Sequence, residues 1–312
     1  MTGVAKPILV VGSLNMDLVV TVDRFPIKGE TIFGKTFATF PGGKGANQAV
    51  AAAKLGAHVT MVGAVGEDAF GENLLTSLQE SGVNTSYISK VNTSTGTALI
   101  TVEENGANSI IVVSGANQHC SRERIDEALG GFASPGILLL QHEIPLEVVE
   151  YAVKSGKEQG WTIILNPAPA RFVSEEILSM VDIVIPNETE IMVLTGRKVD
   201  SLEEAAEAGQ VLLERGASTV MITLGDKGAL CCMAQENYYI PSYKVKAIDT
   251  TAAGDSYVGA LATALAQGKT MLDSARFAAA AAALSVTRVG AQPALPWKDE
   301  VAHFIAKQGE QS

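Results

Sequence analysis

Short, continuous apolar runs alternate with amphipathic stretches along most of the chain. The runs are four or so residues long and rich in Ile, Leu and Val, and they lie at residues 8–11, 59–62, 137–140, 162–165, 183–185 and 220–223. Such runs are typical of strands that are buried on both faces. Because helical patterns separate them, we predict an α/β fold with a mostly parallel central sheet and helices on both of its faces.

Two other stretches contain β-like runs that do not alternate with helices. The runs are at residues 18–22, 98–102 and 109–113, and the turn residues Glu104, Asn105, Gly106 and Ala107 separate the last two. Glycine in such a turn is typical of a β-hairpin. We therefore predict a small second sheet from residues 15–40 and 97–114. Residues 1–14, 41–96 and 115–312 would then form the main α/β domain.

A glycine-containing segment, residues 29–36, matches the P-loop pattern of nucleotide-binding proteins. A true P-loop follows a buried strand and opens a helix. Here Thr31, Ile32 and Phe33 are β-formers, and residues 37–40 continue an extended pattern up to Pro41. We interpret the segment as a strand and reject a P-loop.

Composition narrows the class of protein without identifying it. The 312 residues are 47% hydrophobic and carry a net charge of −11, which argues against a nucleic-acid surface because such a surface needs clustered Lys and Arg. The three cysteines and four histidines show no metal-ligand spacing. The N-terminal apolar run is too short for a signal peptide or a membrane span, so we expect a soluble cytoplasmic protein.

The segment from Asp249 to Asp255 has the strongest chemical character. Small residues at 252–254 precede a helix-like stretch, so their N–H groups can converge at a helix N-terminus, where negative charge is favoured. Asp255 lies where it could take a proton from a hydroxyl, as transfer of a phosphoryl group to an alcohol requires. The alternative is that Asp255 is an ordinary helix cap.

A glycine-rich turn at Gly42 to Gly45 leads into an alanine-rich helix. Lys44 and Asn47 are three residues apart at the start of that helix and can point toward one small polar ligand. The alternative is a tight strand-to-helix connection without a ligand. Asn15 and Asp17 follow the first strand and, by the period of two, face the same side, which suits a vicinal diol.

These segments together resemble the ribokinase-like branch of the PfkB carbohydrate kinase family over nearly the whole chain. The two signatures of that family are carried by residues 42–49 and 249–255. Three further segments occur in the order the family shows, at residues 166–170, 186–190 and 223–228.

The resemblance implies a ribokinase-like α/β fold, a small β-sheet that acts as a lid over a sugar, and a homodimer formed through this lid. It implies ATP-dependent phosphorylation, with Mg²⁺ and an activating K⁺ as further cofactors. Asn15 and Asp17 favour a furanose with both the 2- and 3-hydroxyls, so we expect D-ribose, phosphorylated at its 5-hydroxyl. The alternatives are a kinase for 2-deoxyribose, another pentose or a nucleoside, and a sugar-binding regulator without catalysis.

The resemblance also implies residue roles. Asp255 would be the catalytic base, beside an anion hole formed by Ala252, Ala253 and Gly254. The implied sugar-binding residues are Asn15, Met16, Asp17, Gly42, Gly43, Lys44, Gly45, Ala46, Asn47, Glu143 and Asp255. The implied nucleotide-binding residues are Asn187, Glu190, Thr223, Leu224, Gly225, Asp226, Lys227, Gly228, Gly254, Asp255 and Ala279.

The metal positions follow in the same way. Glu190 would hold Mg²⁺ through water, and the K⁺ ligands would be Asp249, Thr251, Ser285, Arg288 and Gly290. Two positions depart from the family pattern. Ala294 stands where a serine hydroxyl ligand is expected, and Ala279 replaces a polar side chain near the adenine. Without the resemblance, each of these assignments has a simpler alternative. Glu143 could be a solvated acid in a loop, Asn187 and Glu190 could form a helix cap, and residues 223–228 could form a plain turn.

Overall fold

Two separate β-sheets organise the chain in the computed structural model, which describes residues 5–104 and 106–309. The strands are β1 Ile8–Val11, β2 Asn15–Val22, β3 Thr36–Gly42, β4 Val59–Gly66, β5 Asn84–Val91, β6 Gly96–Glu103, β7 Asn108–Val113, β8 Ile137–Leu140, β9 Thr162–Leu165, β10 Ile183–Val184, β11 Thr219–Thr223, β12 Ala229–Cys232 and β13 Asn237–Ile240. The larger sheet has the order β13-β12-β11-β10-β9-β8-β1-β4-β5. Its pairs from β5 through β11 are parallel, and β12 is antiparallel to both neighbours. The predicted mostly parallel sheet is confirmed.

Helices cover both faces of this sheet. They are α1 Lys44–Lys54, α2 Ala69–Glu80, α3 Arg122–Gly130, α4 Leu146–Glu158, α5 Glu175–Met180, α6 Glu188–Thr195, α7 Leu202–Glu214, α8 Ala253–Ala266, α9 Met271–Ser285 and α10 Lys298–Gly309. Helices α1, α2, α8, α9 and α10 pack on one face, and α3 to α7 pack on the other.

The first strand shows why its apolar run is continuous. Ile8 and Val10 join the hydrophobic cluster under α1 and α8, whereas Leu9 and Val11 join the cluster on the opposite face. Successive side chains of a strand point to opposite faces, so a strand covered on both sides needs apolar residues at every position. The loop after β1 therefore begins at the carboxyl end of a strand that is buried on both faces, and polar residues of the site follow it.

The smaller sheet has the order β3-β2-β6-β7. Strands β6 and β7 pair antiparallel and form the predicted hairpin, although Asn105 of its turn lies outside the described residues. Strand β2 pairs with β3 in antiparallel and with β6 in parallel fashion. The predicted domain boundaries remain a prediction, and residues 1–4 and 310–312 of the main domain lie outside the described residues.

The prediction of a strand through Thr31, Ile32 and Phe33 is wrong. Residues 31–34 have no regular structure, and β3 begins at Thr36. The reason is the end of the partner strand, since the β2–β3 ladder closes at the Thr21–Thr36 pair and leaves the earlier residues nothing to pair with. Phe33 is 97% exposed. The rejection of a P-loop is confirmed, because the segment leads into a strand and not into a helix.

Three smaller findings complete the fold. None of the helices in residues 5–104 and 106–309 combines the length and the apolar character that crossing a bilayer requires. The three cysteines are free and buried. The alanine-rich helix α9 packs in the core, since Ala278, Ala280 and Ala281 are fully buried.

Candidate active site

The turn between β3 and α1 packs tightly against β2. Gly43 has φ 86°, and a Cβ there would lie 2.6 Å from the backbone nitrogen of Asn15. A Cβ on Gly42 would lie 2.3 Å from Oδ2 of Asp17. Glycine is required at Gly43, where the left-handed φ and the nearby backbone exclude a Cβ, and a Cβ on Gly42 would displace the Asp17 carboxylate. The tight strand-to-helix connection that we considered is therefore present, and it places the Asp17 carboxylate directly on the turn.

Glu143, just after β8, gathers polar groups from several segments. Its Oε2 accepts hydrogen bonds from Oγ of Ser13 at 2.6 Å and from the backbone N–H of Lys44 at 3.0 Å. Nδ2 of Asn15 lies 3.5 Å from the same oxygen. Asn117 donates from Nδ2 to Oδ1 of Asn15 at 2.7 Å. The structure thus brings Asn15, Lys44 and Glu143 together, and Glu143 is not a solvated loop acid.

Asp255 lies in the first turn of α8 and is only 7% exposed. Its Oδ2 accepts a hydrogen bond from Nδ2 of Asn47 at 2.9 Å, and its Oδ1 accepts one from Nε2 of Gln48 at 2.9 Å. Helix α8 has no side-chain cap. The alternative that Asp255 is an ordinary helix cap is therefore wrong, because both carboxylate oxygens face α1.

The backbone before α8 has an unusual conformation. Ala252 has φ 58°, the one positive φ at a non-glycine position among the described residues. The N–H of Ala253 donates to the carbonyl of Thr250 at 3.2 Å. Within residues 5–104 and 106–309, no protein acceptor faces the N–H groups of Ala252 and Gly254. These two donors, at the positive end of α8, are available to an anion.

One ammonium group lies among several carboxylates. Burial, together with the nearby carboxylates of Glu143 and Asp255, raises the pKa of Asp17 to about 7, although Lys44 acts in the opposite direction. Burial also raises the pKa of Asp255, while Lys44 and the two amide donors act in the opposite direction. For Lys44, burial lowers the pKa, but the surrounding carboxylates outweigh burial and the net shift is upward. Lys44 is therefore charged at neutral pH.

Asn187 and Glu190 form a capping box at the start of α6. Oδ1 of Asn187 accepts from the backbone N–H of Glu190 at 2.8 Å, and Oε2 of Glu190 accepts from the backbone N–H of Asn187 at 2.9 Å. The two residues therefore do form the helix cap that we considered as the alternative. Glu190 is nevertheless buried, which raises its pKa, and its carboxylate also interacts with Lys44 and Asp255. It therefore faces the same charged centre.

The segment 223–228 lies beside this cap. Thr223 forms an isolated parallel bridge with Asn187. A short 3-10 turn, Gly225–Lys227, follows, with Asp226 and Lys227 exposed and Leu224 buried. Open space lies where a Cβ on Gly225 would point, whereas a Cβ on Gly228 would lie 2.1 Å from a β13 carbonyl. Gly225 therefore borders open space, whereas Gly228 lies against the backbone of β13.

The residues implied for a monovalent cation fall into two groups. Oδ1 of Asp249 accepts from the N–H of Thr251 at 2.9 Å, and Oδ2 accepts from the N–H of Gly290 at 2.8 Å. These three are together. The side chains of Ser285 and Arg288 point elsewhere, to a carbonyl of α9 and to the Glu300 carboxylate respectively. Those two positions could offer only backbone oxygens.

Several predicted positions contribute apolar side chains. Met16, Ala46 and Ala279 belong to the hydrophobic cluster beneath α1, α8 and α9. Ala294, at the position where a serine hydroxyl ligand was expected, is buried and carries only a methyl group. Among the described residues, no group of three or more His, Cys, Asp or Glu side chains could hold a metal ion.

Sequence reasoning missed four polar residues of this centre. Gln48, Ser13, Asn117 and Gln141 are all buried and hydrogen-bonded within it. Gln48 lies within the signature at residues 42–49, and Ser13 lies between the first strand and Asn15. In both cases a polar residue beside buried apolar residues could have indicated a role in the site. Asn117 and Gln141 lie in no recognised motif.

The fold and this site define an α/β protein with a cluster of buried polar groups around a carboxylate at a helix N-terminus. The family model for pfkB family carbohydrate kinases matches residues 5–298. The chain therefore belongs to the pfkB family of carbohydrate kinases.

Individual relatives agree with this assignment. The chain is 42% identical to ribokinase of Haemophilus influenzae over 301 residues, which cover 96% of this chain and 98% of that relative. It is 38% identical to deoxyribokinase of Salmonella typhi, with the same coverage of 96% and 98%. A solved structure of Arabidopsis thaliana ribokinase complexed with ribose and ATP has a TM-score of 0.89 and 36% identity, and the match covers 96% of this chain and 99% of that chain.

Proposed function

We propose that the protein is a sugar kinase that transfers the γ-phosphoryl group of ATP to the 5-hydroxyl of D-ribose, giving D-ribose 5-phosphate and ADP. The observation that carries this proposal is the buried Asp255 carboxylate at the N-terminus of α8, held by Asn47 and Gln48. The ribokinase relatives at 42% identity and nearly full coverage support the choice of sugar.

The sugar would lie over the turn between β3 and α1. Carboxylates accept hydrogen bonds from hydroxyl groups, so Asp17 and Glu143 would hold the ring as acceptors. Asn15, Lys44 and Asn47 would act as donors to the hydroxyl oxygens. Oδ1 of Asn47 is buried without a partner among the described residues, and it offers a further acceptor to the sugar.

Asp255 would act as the general base. It takes the proton of the 5-hydroxyl while that oxygen forms a bond to the γ-phosphorus, and the bond from this phosphorus to the bridging oxygen of ADP breaks. The charge on the transferred group would be held by the free N–H groups of Ala252 and Gly254 and by the positive end of α8. The N–H of Ala253 would help to hold the same charge, although it also donates to the carbonyl of Thr250.

ATP would approach from the other side of Asp255. Its triphosphate would lie between Asn187 and the start of α8, and the turn at residues 223–228 would hold the rest of the nucleotide. Oε1 of Glu190 is left for the water shell of Mg²⁺, because Oε2 is used in the capping box. One carboxylate suits this ion, which keeps most of its water. When bound, Mg²⁺ would neutralise phosphate charge.

K⁺ would lie at the loop before α8. A hard cation takes carboxylate and carbonyl oxygens, and Asp249 and the backbone carbonyls of Thr251 and Gly290 would supply them. These three residues are held together by the N–H groups of Thr251 and Gly290, which donate to the Asp249 carboxylate. Carbonyls of Ser285 and Arg288 would complete the site. Because Asp249 also accepts from the N–H groups of Thr251 and Gly290, it would in addition hold the backbone that leads to Asp255.

The small sheet would cover the sugar as a lid and would also form a homodimer. In its strand β7, Ile110, Ile111, Val112 and Val113 are between 46% and 63% exposed, as a contiguous apolar edge. Such a surface is costly in water and is buried when two copies pair. Use of ATP and three free, buried thiols support a cytoplasmic location.

A second acceptor has a specific observation in its favour, the 38% identity to deoxyribokinase of Salmonella typhi. Release of ADP by the purified protein with Mg²⁺, measured over ribose, 2-deoxyribose, fructose, fructose 6-phosphate and adenosine, separates the candidates. Preferential turnover of ribose supports the proposal. Preference for another acceptor contradicts the choice of sugar. Tight ribose binding without any turnover would indicate a sugar-binding regulator.

A further inference from the structure

Gln48 has an unusual set of hydrogen bonds for a residue in the middle of an alanine-rich helix. Its Nε2 donates to Oδ1 of Asp255 at 2.9 Å and to Oδ1 of Asn166 at 3.0 Å. Its Oε1 accepts from Nε2 of Gln141 at 2.6 Å. The side chain is fully buried. Both amide hydrogens and the amide oxygen of Gln48 are therefore used, and none of them is turned toward solvent.

The orientation of this amide is determined by its neighbours. Nδ2 of Asn166 donates to the carbonyl of Ile185 at 2.8 Å, so the Asn166 oxygen must face Gln48 and needs a donor. The Asp255 carboxylate also needs a donor. Nε2 of Gln48 supplies a donor to each of them. If the Gln48 amide were rotated by 180°, its oxygen would instead face the oxygens of Asn166 and Asp255, which are both acceptors. The network thus ties Asp255 to the ends of β8 and β9 and to the residue after β10.

Asn47 and Gln48 are consecutive residues on α1, and each holds a different oxygen of Asp255. Two bonds to two oxygens determine the plane of the carboxylate, whereas one bond leaves it free to rotate. The charged groups that face Asp255 are Lys44, Glu143, Glu190 and Asp17, three of them carboxylates. Gln48 is therefore one of few favourable partners of the ionised form.

We propose that Gln48 is a positioning residue for the catalytic base, fixing the Asp255 carboxylate so that one oxygen faces the acceptor hydroxyl in its ionised form. The inference rests on the proposed function, because Asp255 is a base only in that reaction. Gln48 acts through Asp255 and does not itself touch the sugar or the nucleotide. Its loss changes the chemical step and leaves substrate binding in place.

The test is Gln48→Met, which keeps an unbranched side chain of similar length and removes both donors. The expected result is a loss of roughly 10- to 100-fold in kcat, since small misplacements of a reacting group have effects of this size. The KM values for ribose and ATP stay as in the wild type. The acidic limb of the kcat/KM profile moves to higher pH, because a carboxylate that loses a donor is harder to ionise.

A matched control separates positioning from stability. Oγ1 of Thr263 on α8 donates to the carbonyl of Gly259 at 2.8 Å and lies 3.4 Å from the carbonyl of Ala52 on α1, in the same helix interface but without contact to Asp255. Thr263→Val is expected to lower the Tm and to leave the pH profile unchanged. If Gln48→Met does not fold, the double variant Gln48→Met/Gln141→Met takes its place in the test. It replaces both partners of the 2.6 Å hydrogen bond with apolar side chains, so the donor of Gln141 is not left buried without an acceptor.

A second readout does not depend on turnover. The ¹³C shift of the Asp255 carboxyl, assigned by comparison with Asp255→Asn, reports the pKa of this group directly. The proposal expects a higher pKa in the Gln48 variant than in the wild type. An equal pKa, with an unmoved acidic limb in a folded variant, overturns it. If the wild type does not phosphorylate ribose, the proposed function fails, and the ¹³C titration still decides whether Gln48 controls Asp255.

Discussion

Nδ2 of Asn47 donates a hydrogen bond of 2.9 Å to Oδ2 of Asp255, although the two residues are 208 positions apart in the chain. Asn47 lies at the start of α1, beside the turn that would hold the sugar, and Asp255 lies at the helix start that would hold the phosphoryl group. The bond joins α1 to α8 on one face of the sheet. The distance between the proposed sugar site and the proposed base is therefore set by core packing and not by a flexible loop.

Sugar affinity is expected to depend on pH through Asp17. Its pKa is about 7, raised by burial and by Glu143 and Asp255. The ionised form only accepts hydrogen bonds and suits sugar hydroxyls, so affinity is present above this pKa and is lost as the pH falls through it. Calorimetry without nucleotide should give a Kd for ribose that is about tenfold weaker at pH 6 than at pH 8. In Asp17→Asn, binding is weaker and this pH dependence is absent. A pH-independent Kd in the wild type would show that another group binds the hydroxyls.

Discrimination between ribose and 2-deoxyribose is expected to depend on Asn15. Its Oδ1 accepts from Asn117 and one hydrogen of its Nδ2 points to Glu143, so the second Nδ2 hydrogen is left to donate to a sugar hydroxyl. A buried donor left without a partner costs about 1–3 kcal/mol, so kcat/KM should favour ribose by roughly 5- to 150-fold. Asn15→Ala should bring the ratio close to one, while the exposed Asn237→Ala should leave it unchanged. A ratio that survives in Asn15→Ala assigns discrimination to other residues.

Ala252 carries backbone strain that a substitution can reveal. A left-handed conformation costs an alanine about 1–2 kcal/mol, whereas glycine adopts it readily but loses more entropy on folding. Denaturant unfolding should therefore show Ala252→Gly to be as stable as the wild type or more stable by up to about 1 kcal/mol. Ala253→Gly, at the adjacent helical position, should be less stable than the wild type. A clear loss of stability in Ala252→Gly would mean that the φ of 58° is not strained.

Activation by K⁺ is expected to require Asp249. Its carboxylate holds the N–H groups of Thr251 and Gly290, and the loop it organises leads directly to Asp255. ADP release should rise with K⁺ at constant ionic strength in the wild type. Asp249→Ala should turn over slowly and should not respond to K⁺, with an unchanged KM for ribose. An equal response to K⁺ in both proteins would place the cation elsewhere.

Sequence patterns predicted the parts of the fold that depend on continuous apolar runs. Strands β1, β8 and β9 were predicted because both of their faces are buried. Strand β5 was missed because it lies at the edge of the sheet and carries alternating polar residues. The strand expected over residues 29–36 is absent before Thr36, because β-propensity does not supply a partner and β2 ends too early to provide one.

The site was predictable where its residues share a motif and not where folding alone unites them. Lys44, Asn47 and Asp255 lie in recognisable segments. From the sequence, Gln48 was interpreted only as part of an alanine-rich helix. The neighbouring residues give no indication that α8 and the end of β9 pack against it. Asn117 was missed for the same reason, because it reaches Asn15 across 102 positions of the chain.

The most direct test of the account is a comparison of the wild type with Asp255→Asn, measuring kcat with ribose, ATP and Mg²⁺ together with the Kd of each substrate. The account predicts that kcat falls by roughly two to four orders of magnitude while ribose and ATP still bind, because the variant loses the base that takes the 5-hydroxyl proton. Thermal unfolding of the variant checks that the fold is retained. Turnover at the wild-type rate in a folded Asp255→Asn protein would contradict the central claim.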